Sequence, residues 1–357
     1  MRHPVRSVIT AAALLLAPLA IAATPAGPAS AAGGRASAPG AGPLKVSGAT
    51  TVGVHNTYSK GDYTYLAQAL DAGSSLIELD VWDDVLADRW RVSHSDPLGN
   101  DNNCVAATSP AGLYTGDRNQ NLGSCLADIK WWLAAHPSAG PVFVKIEMKA
   151  GFGNSAGMGP SELDSYIAAN AGTSYIYRPA DLLGGGYPTL DAAARANAWP
   201  ARAALAGKMI IYIIPGTVEL ANPSDTLHTD VEYATYLKNL YAAGQVGNAM
   251  IFPAVLGAVP GDPRTQYPDA TIRPWFVFFD GDASTYVTSV DTSWYSASHY
   301  ILVMTDAQAV APALSDTSPA VADAQARVGL LAADHASVVS CDWSGLPTVL
   351  SMVLPRG

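Results

Sequence analysis

The chain has 357 residues, of which 30 are acidic and 20 are basic, and its formal net charge is −10 at pH 7. An acidic chain without a run of Lys or Arg gains no general electrostatic attraction to nucleic acid or to an anionic membrane, so we expect no nucleic-acid partner. Beyond the amino terminus no run is apolar and long enough to span a membrane. The length suits one large barrel or two medium domains.

The amino terminus has the composition of a secretory signal. Arg2 and Arg6 precede an apolar run from Val8 to Ala23, and Ala29-Ser30-Ala31 offers a small-residue cleavage site, with Ile21-Ala22-Ala23 as a rival. We therefore predict a signal peptide over residues 1–31 and a secreted protein. Residues 32–44, rich in Gly, Ala, Pro and Ser, are predicted to be a flexible lead-in. Residues 45–357 are predicted to form the single catalytic domain.

Strand-like runs alternate with helical patterns along this domain. The strands are predicted at 51–55, 75–82, 90–94, 142–149, 209–214, 275–280, 300–304 and 336–341, with Met250-Ile251-Phe252 as a weaker ninth candidate. Helices are predicted at Tyr63–Ala72, Leu126–Ala135, Asp230–Ala243 and Pro319–Ala333. Strands that alternate with helices favour a parallel sheet, and eight of them over this length favour a (β/α)₈ barrel.

Three connections depart from this alternation. The link from Trp82 to Trp90 is too short for a helix, so the third run is either a hairpin or an irregular part of the barrel. Gly151–Pro200 and Pro253–Pro274 are long insertions. Loops of that length in a compact domain are usually functional rims or lids.

Charged and polar groups stand at the ends of the apolar strands. Glu78 and Asp80 share one face of the second run, since side chains alternate along a strand, and Lys145 and Glu147 share one face of the fourth. The carboxyl ends of the strands form the catalytic end of such a barrel. Three carboxylates meeting there repel one another unless some are protonated or a cation neutralises them. Oxygen ligands of this kind suit Ca²⁺ or Mg²⁺.

A structural interpretation competes with the metal site. Glu78 and Asp80 could each pair with a Lys or Arg and stabilise the barrel rim, but the addition of Asn56 and Glu147 favours a metal site. His55 and His94 could each be structural as well. As a pair at strand ends beside an acidic cluster, they are better suited to acid–base chemistry near neutral pH. Asp342 closes the last predicted strand, either in a turn or as part of the mouth.

The chain has three cysteines. Cys104 and Cys125 are close in sequence and flank a loop without clear periodicity, so we predict that they form a disulfide in the secreted protein. Closing a loop of this size is worth roughly 3 kcal/mol in the chain-entropy model. Cys341 is predicted to be a buried free thiol.

Four motifs together resemble the Ca²⁺-dependent phosphoinositide-specific phospholipases C, in particular the secreted bacterial branch. They are His55-Asn56-Thr57-Tyr58, Glu78-Leu79-Asp80-Val81-Trp82, His94-Ser95-Asp96-Pro97 and Lys145-Ile146-Glu147. Weaker similarity extends over Trp199–Met209, Trp275–Asp280 and Val338–Trp343. The resemblance implies a distorted (β/α)₈ TIM barrel that cleaves phosphatidylinositol to diacylglycerol and an inositol (cyclic) phosphate.

The resemblance also implies a role for each matching residue. The calcium ligands are Asn56, Glu78, Asp80 and Glu147. His55 contacts the phosphoryl oxygens in the transition state, and His94 protonates the departing diacylglycerol oxygen. The nucleophile is the inositol 2-hydroxyl, whose pKa calcium lowers and whose proton Glu78 or Glu147 accepts. The expected partner is a phospholipid at a membrane surface, contacted transiently by a monomer.

Other families share the barrel and the same order of His, Glu-x-Asp and His. Glycerophosphodiester phosphodiesterases are the runner-up, and sphingomyelinase-D-like lipases are third. A different class is an inactive barrel that binds lipid headgroups. The chain also departs from the bacterial pattern: Met304-Thr305-Asp306 stands where Arg-Thr-Arg is expected, and Ser340-Cys341-Asp342 where Ser-Thr-Asp is expected. With few cations near the mouth, we predict a preference for phosphatidylinositol over its multiply phosphorylated forms.

Overall fold

Ten strands lie in the described part of the chain, which is residues 44–86 and 89–357 of a computed structural model. In chain order they are β1 (Ala49–Val54), β2 (Leu76–Asp84), β3 (Arg89–Val92), β4 (Val142–Met148), β5 (Met209–Pro215), β6 (Ile251–Leu256), β7 (Phe278–Asp282), β8 (Ile301–Thr305), β9 (Val338–Cys341) and β10 (Val353–Pro355). The predicted signal peptide, 1–31, and all but the last residue of the predicted lead-in, 32–44, lie outside the described residues.

Eight of these strands are parallel and close into a barrel. The order around it is β1, β9, β8, β7, β6, β5, β4, β2, and a pairing of Val54 with Ile77 joins β1 to β2. β3 folds back on β2 as an antiparallel hairpin, and β10 pairs antiparallel with β1. The predicted (β/α)₈ TIM barrel is therefore confirmed, with two antiparallel strands added to it.

The run at 90–94 is the hairpin strand β3, which was one of the two possibilities left open for it, so it is not one of the eight barrel strands. The weaker candidate at 250–252 belongs to the barrel strand β6 and takes that eighth place. Pro253 lies inside β6, where it cannot donate to the ladder, and this is why the pattern there indicated a loop. The second insertion accordingly begins after Leu256. The short, partly exposed β10 was not predicted.

Helices fill most of the connections between the barrel strands. They are α1 (Leu66–Asp71), α2 (Leu122–Ala135), α3 (Pro160–Ala171), α4 (Pro179–Leu183), α5 (Leu190–Arg195), α6 (Thr217–Leu220), α7 (Thr229–Ala242), α8 (Ala283–Ser289), α9 (Ser293–Ala297), α10 (Val321–Ala333) and α11 (Pro347–Leu350). The four predicted helices correspond to α1, α2, α7 and α10, and the insertion at 151–200 contains α3 to α5. Across the described ranges, no helix combines the length and hydropathy needed to cross a membrane.

The barrel interior changes from aromatic to charged along the strand direction. Phe143, Phe252 and Phe278 lie near the starts of β4, β6 and β7, and rings from these different strands contact one another. Two residues further along β4 and β7 the same faces carry Lys145 and Asp280. The aromatic side chains fill the amino-terminal half of the barrel, so the charged groups are confined to the carboxyl-terminal half.

The disulfide between Cys104 and Cys125 is present, and Cys341 is free and buried, as predicted. The bridge ties the loop after β3 to α2. Within that loop, the Asn103 amide donates to the backbone carbonyls of Thr57, Ser59 and Tyr63. The bridged loop thus supports the turn that follows β1.

Candidate active site

The side chains predicted to do chemistry come from the carboxyl-terminal parts of β1, β2 and β4. Pairing of β2 with β4 sets Glu78 beside Lys145 and Asp80 beside Glu147. Because alternate residues of a strand share a face, these side chains form two rows of charge. We call Glu78, Lys145 and Asp280 the inner layer, and Asp80, Glu147 and Lys149 the outer layer.

The inner layer is a buried network of ion pairs. Lys145 Nζ lies 3.0 Å from Glu78 Oε1 and 3.3 Å from Asp280 Oδ2, and the Tyr212 hydroxyl donates to the same Asp280 oxygen at 2.9 Å. Glu78 and Asp280 are each 1% exposed. Burial acts to raise the pKa of Glu78, but Lys145 and His55 outweigh it, and the pKa lies below its usual value. Glu78 is therefore ionised beneath the outer layer.

The outer layer is less completely paired. Lys149 Nζ lies 3.1 Å from Asp80 Oδ2 and 2.8 Å from Glu147 Oε1. Asp80 Oδ1 is buried and has no hydrogen-bond partner among the described residues. Burial, followed by the charges of Glu147 and Glu78, raises the pKa of Asp80 to about 7. This layer therefore has an excess of negative charge at the mouth of the barrel.

The turn after β1 brings Asn56 to the carboxylates. Asn56 has a φ of 50°, a left-handed conformation that Asn tolerates better than most residues. Its backbone N–H donates to Glu78 Oε2 at 3.4 Å, and its side-chain oxygen accepts from the Tyr58 hydroxyl at 3.1 Å. The Thr57 hydroxyl bridges β1 and β2 by donating to the Val54 carbonyl and accepting from the Glu78 N–H. Asn56 is thus held at the mouth.

His55 is held by a carboxylate from the last barrel strand. Its Nδ1 lies 3.0 Å from Asp342 Oδ1, and the Gln308 amide donates to the other Asp342 oxygen at 2.9 Å. Burial alone would lower the pKa of His55, but the hydrogen bond with Asp342 and the charge of Glu78 outweigh it and raise that pKa to about 9. His55 is therefore an imidazolium at neutral pH.

His94 lies near the outer layer but does not contact it. The Ser93 N–H donates to the Asp80 carbonyl at 3.0 Å, and the Trp82 indole donates to the Ser93 carbonyl at 2.7 Å. The His94 side chain is exposed and its Nδ1 lies 2.9 Å from the Ser95 hydroxyl. The hairpin of β2 and β3 therefore carries this histidine beside Asp80 and leaves it free to meet a ligand.

Several residues of the site were not singled out by the sequence analysis. Asp280 ends an apolar run in the same way as Glu78 and Asp80 do, and that position was its one available signal. Tyr212 lies inside a hydrophobic strand and gave none. The ion-pair interpretation and the metal-site interpretation each describe part of the site. Glu78 and Asp80 do pair with lysines, and their oxygens still form a cluster with those of Glu147.

The cluster fits a calcium ion by its donors. Glu78, Asp80 and Glu147 each offer an oxygen, and these oxygens lie within 4.8 Å of one another. The unpartnered Asp80 Oδ1 adds a buried acceptor, and the Asn56 side-chain oxygen adds a neutral one at the same end of the barrel. Carboxylate and amide oxygens are the ligands that Ca²⁺ takes in proteins.

The chain is similar to solved structures of bacterial phospholipases C. A solved structure of a Ca²⁺-dependent phosphatidylinositol-specific phospholipase C from Streptomyces antibioticus is 51% identical, covers 88% of this chain and 99% of that chain, and has a TM-score of 0.86. A structure of a calcium-dependent phosphoinositol-specific phospholipase C from a Pseudomonas species is 19% identical, covers 87% of this chain and 95% of its own, and has a TM-score of 0.63. At that identity it supports the fold alone. No family model and no curated protein sequence matches the chain.

The identity to the Streptomyces antibioticus protein extends over nearly its whole length. The matched region therefore includes the barrel. The four motifs that carry the resemblance seen in the sequence all lie at the carboxyl end of this barrel. The chain belongs to the family of Ca²⁺-dependent phosphatidylinositol-specific phospholipases C.

Proposed function

We propose that this chain cleaves phosphatidylinositol between glycerol and phosphate, in a calcium-dependent reaction that releases diacylglycerol and an inositol cyclic phosphate. The observation that carries the proposal is the convergence of Glu78, Asp80 and Glu147 at the barrel mouth, with one buried carboxylate oxygen unpartnered. The proposal is supported by the 51% identity to a phospholipase C with this dependence and this specificity.

Four residues are assigned to the metal: Asn56, Glu78, Asp80 and Glu147. When bound, calcium would stabilise negative charge on the phosphate and lower the pKa of the inositol 2-hydroxyl. The protein supplies four oxygen donors from three neighbouring strands of one barrel. Because β1, β2 and β4 are joined by backbone hydrogen bonds, the donors are positioned before a substrate arrives.

His55 is assigned to the phosphoryl oxygens. A phosphodiester transition state spreads negative charge over these oxygens, and an imidazolium stabilises it. The support is the hydrogen bond to Asp342, which fixes one ring nitrogen and helps to keep the ring protonated, with a pKa of about 9. The other ring nitrogen is left to donate to substrate.

His94 is assigned as the general acid that protonates the leaving diacylglycerol oxygen. An exposed ring on the hairpin beside Asp80 can reach a substrate bound over the outer layer, whereas the partly buried His55 is already engaged. Without substrate, the hydrogen bonds of a general acid are often long or poorly aligned, because they tighten only in the complex.

The nucleophile is assigned to the substrate's own 2-hydroxyl, which attacks the neighbouring phosphorus. The attack is intramolecular, so it gains a large effective-molarity advantage. Glu78 or Glu147 accepts the hydroxyl proton. Each is paired with a lysine, and Glu147 is the better placed of the two because its side chain is 14% exposed while that of Glu78 is 1% exposed.

The surface around the mouth supports docking on a lipid surface. Val85 and Leu86 lie in the turn between β2 and β3, Val218 and Leu220 follow β5, and Val259 follows β6. All five are exposed, with Leu86 at 97%. Apolar side chains at the rim of the site can enter a membrane interface. Such entry does not depend on electrostatic attraction to an anionic membrane, which an acidic chain lacks. We infer a peripheral, transient contact made by a monomer.

Secretion is part of the proposal. Its support is the signal-like composition of residues 1–31 together with the Cys104–Cys125 disulfide, since disulfides persist mainly in oxidising compartments. Detection of a mature chain in culture medium, with an amino terminus near residue 32, is the expected result. Retention of an uncleaved chain in the cytoplasm would contradict it.

Product analysis tests the proposed function. Phosphatidylinositol incubated with the enzyme and calcium is expected to give diacylglycerol and inositol cyclic phosphate, whereas a 2-O-methyl inositol lipid is expected to bind without reacting. Phosphatidylcholine, which lacks a neighbouring hydroxyl on its headgroup, is expected to be inert. Release of choline, or of glycerol phosphate from deacylated substrates, would instead indicate one of the two related families. Lipid binding without turnover would indicate an inactive barrel.

A further inference from the structure

Lys149 occupies an unusual position for a residue at a metal site. Its ammonium lies 3.1 Å from an oxygen of Asp80 and 2.8 Å from an oxygen of Glu147, and so bridges two of the carboxylates proposed as calcium ligands. The lysine side chain is only 6% exposed. A cation of the protein itself therefore sits against two of the carboxylates that a calcium ion would use.

The lysine of the inner layer has a different setting on the same strand. Lys145 contacts Glu78 and Asp280, whose side chains are each 1% exposed, so removing its ammonium would leave charge buried beneath the site. Lys149 contacts Glu147 at the rim, where the carboxylate is 14% exposed. The two lysine side chains are each 6% exposed, but Lys149 is the one with a carboxylate partner that reaches solvent.

The backbone of Lys149 is fixed although its side chain is at the rim. Its N–H donates to the Val81 carbonyl at 2.7 Å, and its carbonyl accepts from the Glu219 N–H at 2.8 Å. Any movement of the ammonium must therefore come from rotation of the four-carbon side chain, which is flexible. A change of rotamer can withdraw the charge without disturbing β4.

Charge repulsion makes the two cations compete. An ammonium and a divalent ion that contact the same two carboxylates would repel each other strongly in a partly buried site. We propose that Lys149 is an exchangeable counter-ion of the site, which calcium must displace from Asp80 and Glu147, and that this competition sets the calcium affinity of the enzyme. The inference rests on the proposed calcium site.

Calorimetric titration of the mature chain with calcium tests the proposal. Lys149→Met keeps the length of the side chain and removes its charge, and we expect it to lower the Kd for calcium by about tenfold or more. Lys149→Arg, which keeps the charge, is expected to bind no more tightly than the wild type. Lys238→Met is the matched control, because it removes one charge from a surface ion pair with Asp269. Its Kd is expected to equal that of the wild type.

A Kd that is unchanged or raised in Lys149→Met, with the wild type still binding, would overturn the role of Lys149 and leave the calcium site standing. An absence of binding by the wild type would overturn the proposed site itself.

Lysine labelling of the wild type provides a second measurement should Lys149→Met fail to fold without calcium. Mass spectrometry is expected to find that saturating calcium increases acetylation at Lys149 several-fold and leaves labelling at Lys145 and Lys238 unchanged. Equal labelling of Lys149 with and without calcium would overturn displacement.

Discussion

The inner and outer layers of the site use the same residue types for different purposes. In each, one lysine, Lys145 within β4 or Lys149 directly after it, bridges two carboxylates from separate elements. In the inner layer the Tyr212 hydroxyl also binds Asp280, and the carboxylates are almost wholly buried. In the outer layer, two residues further along the chain, an oxygen of Asp80 has no hydrogen-bond partner among the described residues. A step of two residues along a strand thus separates a fully paired layer, which also contributes Glu78 to the candidate metal site, from a layer whose carboxylates are less completely paired.

The difference follows from what surrounds each layer. Buried charges are stable only when they are paired and hydrogen-bonded, and the inner layer meets this condition with protein groups alone. The outer layer lies at the mouth, where burial, followed by the charges of Glu147 and Glu78, raises the pKa of Asp80 to about 7. The inner layer is expected to stabilise the fold while also contributing Glu78 to the metal, and the outer layer is expected to serve the reaction.

Removal of calcium is expected to give the largest effect. Exhaustive treatment with EGTA should abolish turnover of phosphatidylinositol and lower the Tm, because a ligand bound only by the native state stabilises it. The far-UV circular dichroism should stay that of a folded barrel, since Glu78 and Asp280 keep Lys145 as their counter-ion when calcium is removed. Readdition of calcium is the control and should restore both quantities. Full activity after chelation would refute the assignment of the outer layer.

The two histidines are expected to differ in a way that reflects their settings. If exposed His94 is the general acid, His94→Ala should lower kcat by roughly 10²–10⁴. A substrate whose leaving group needs no proton should recover much of this loss. His55→Ala should not be rescued by that substrate, because His55, which is bonded to Asp342, is assigned to the phosphate and not to the leaving group. Steady-state kinetics with both substrates check the assignment, and equal rescue of the two variants would show that the roles are wrong.

Loss of the inner lysine is expected to affect stability and not only activity. Lys145→Met leaves Glu78 and Asp280 buried without their counter-ion, and breaking a buried pair in this way costs about 3–5 kcal/mol. Lys149→Met should cost less, since Glu147 is partly exposed at the rim. Urea denaturation monitored by tryptophan fluorescence measures both. A smaller loss for Lys145→Met than for Lys149→Met would reverse the comparison between the layers.

The parts of this site that could be predicted from sequence are those set by local pattern. Glu78, Asp80 and Glu147 could be found because charge inside an apolar run with period two is conspicuous, and the barrel that brings them together followed from strand and helix alternation. Asp280 and Asp342 could not be assigned, because their role depends on which strands are neighbours across the barrel. β6 was underestimated for a different reason, since Pro253 interrupts the local signal while the two adjacent strands still hold it in place.

The smallest expected effect is that of the disulfide, which stabilises the site from outside both layers. Cys104 and Cys125 are 21 residues apart, and closing such a loop is worth roughly 3 kcal/mol in the chain-entropy model. The double substitution Cys104→Ser and Cys125→Ser should lower the free energy of unfolding by about that amount. It should also weaken calcium binding modestly, because the bridged loop carries Asn103, whose amide supports the turn that presents Asn56.

The loss of stability is measured by urea denaturation and the loss of calcium affinity by calorimetry, with Cys341→Ala as the control that leaves the bridge intact. Peptide mapping without reductant should find Cys104 linked to Cys125, and a bridge that includes Cys341 would contradict the prediction.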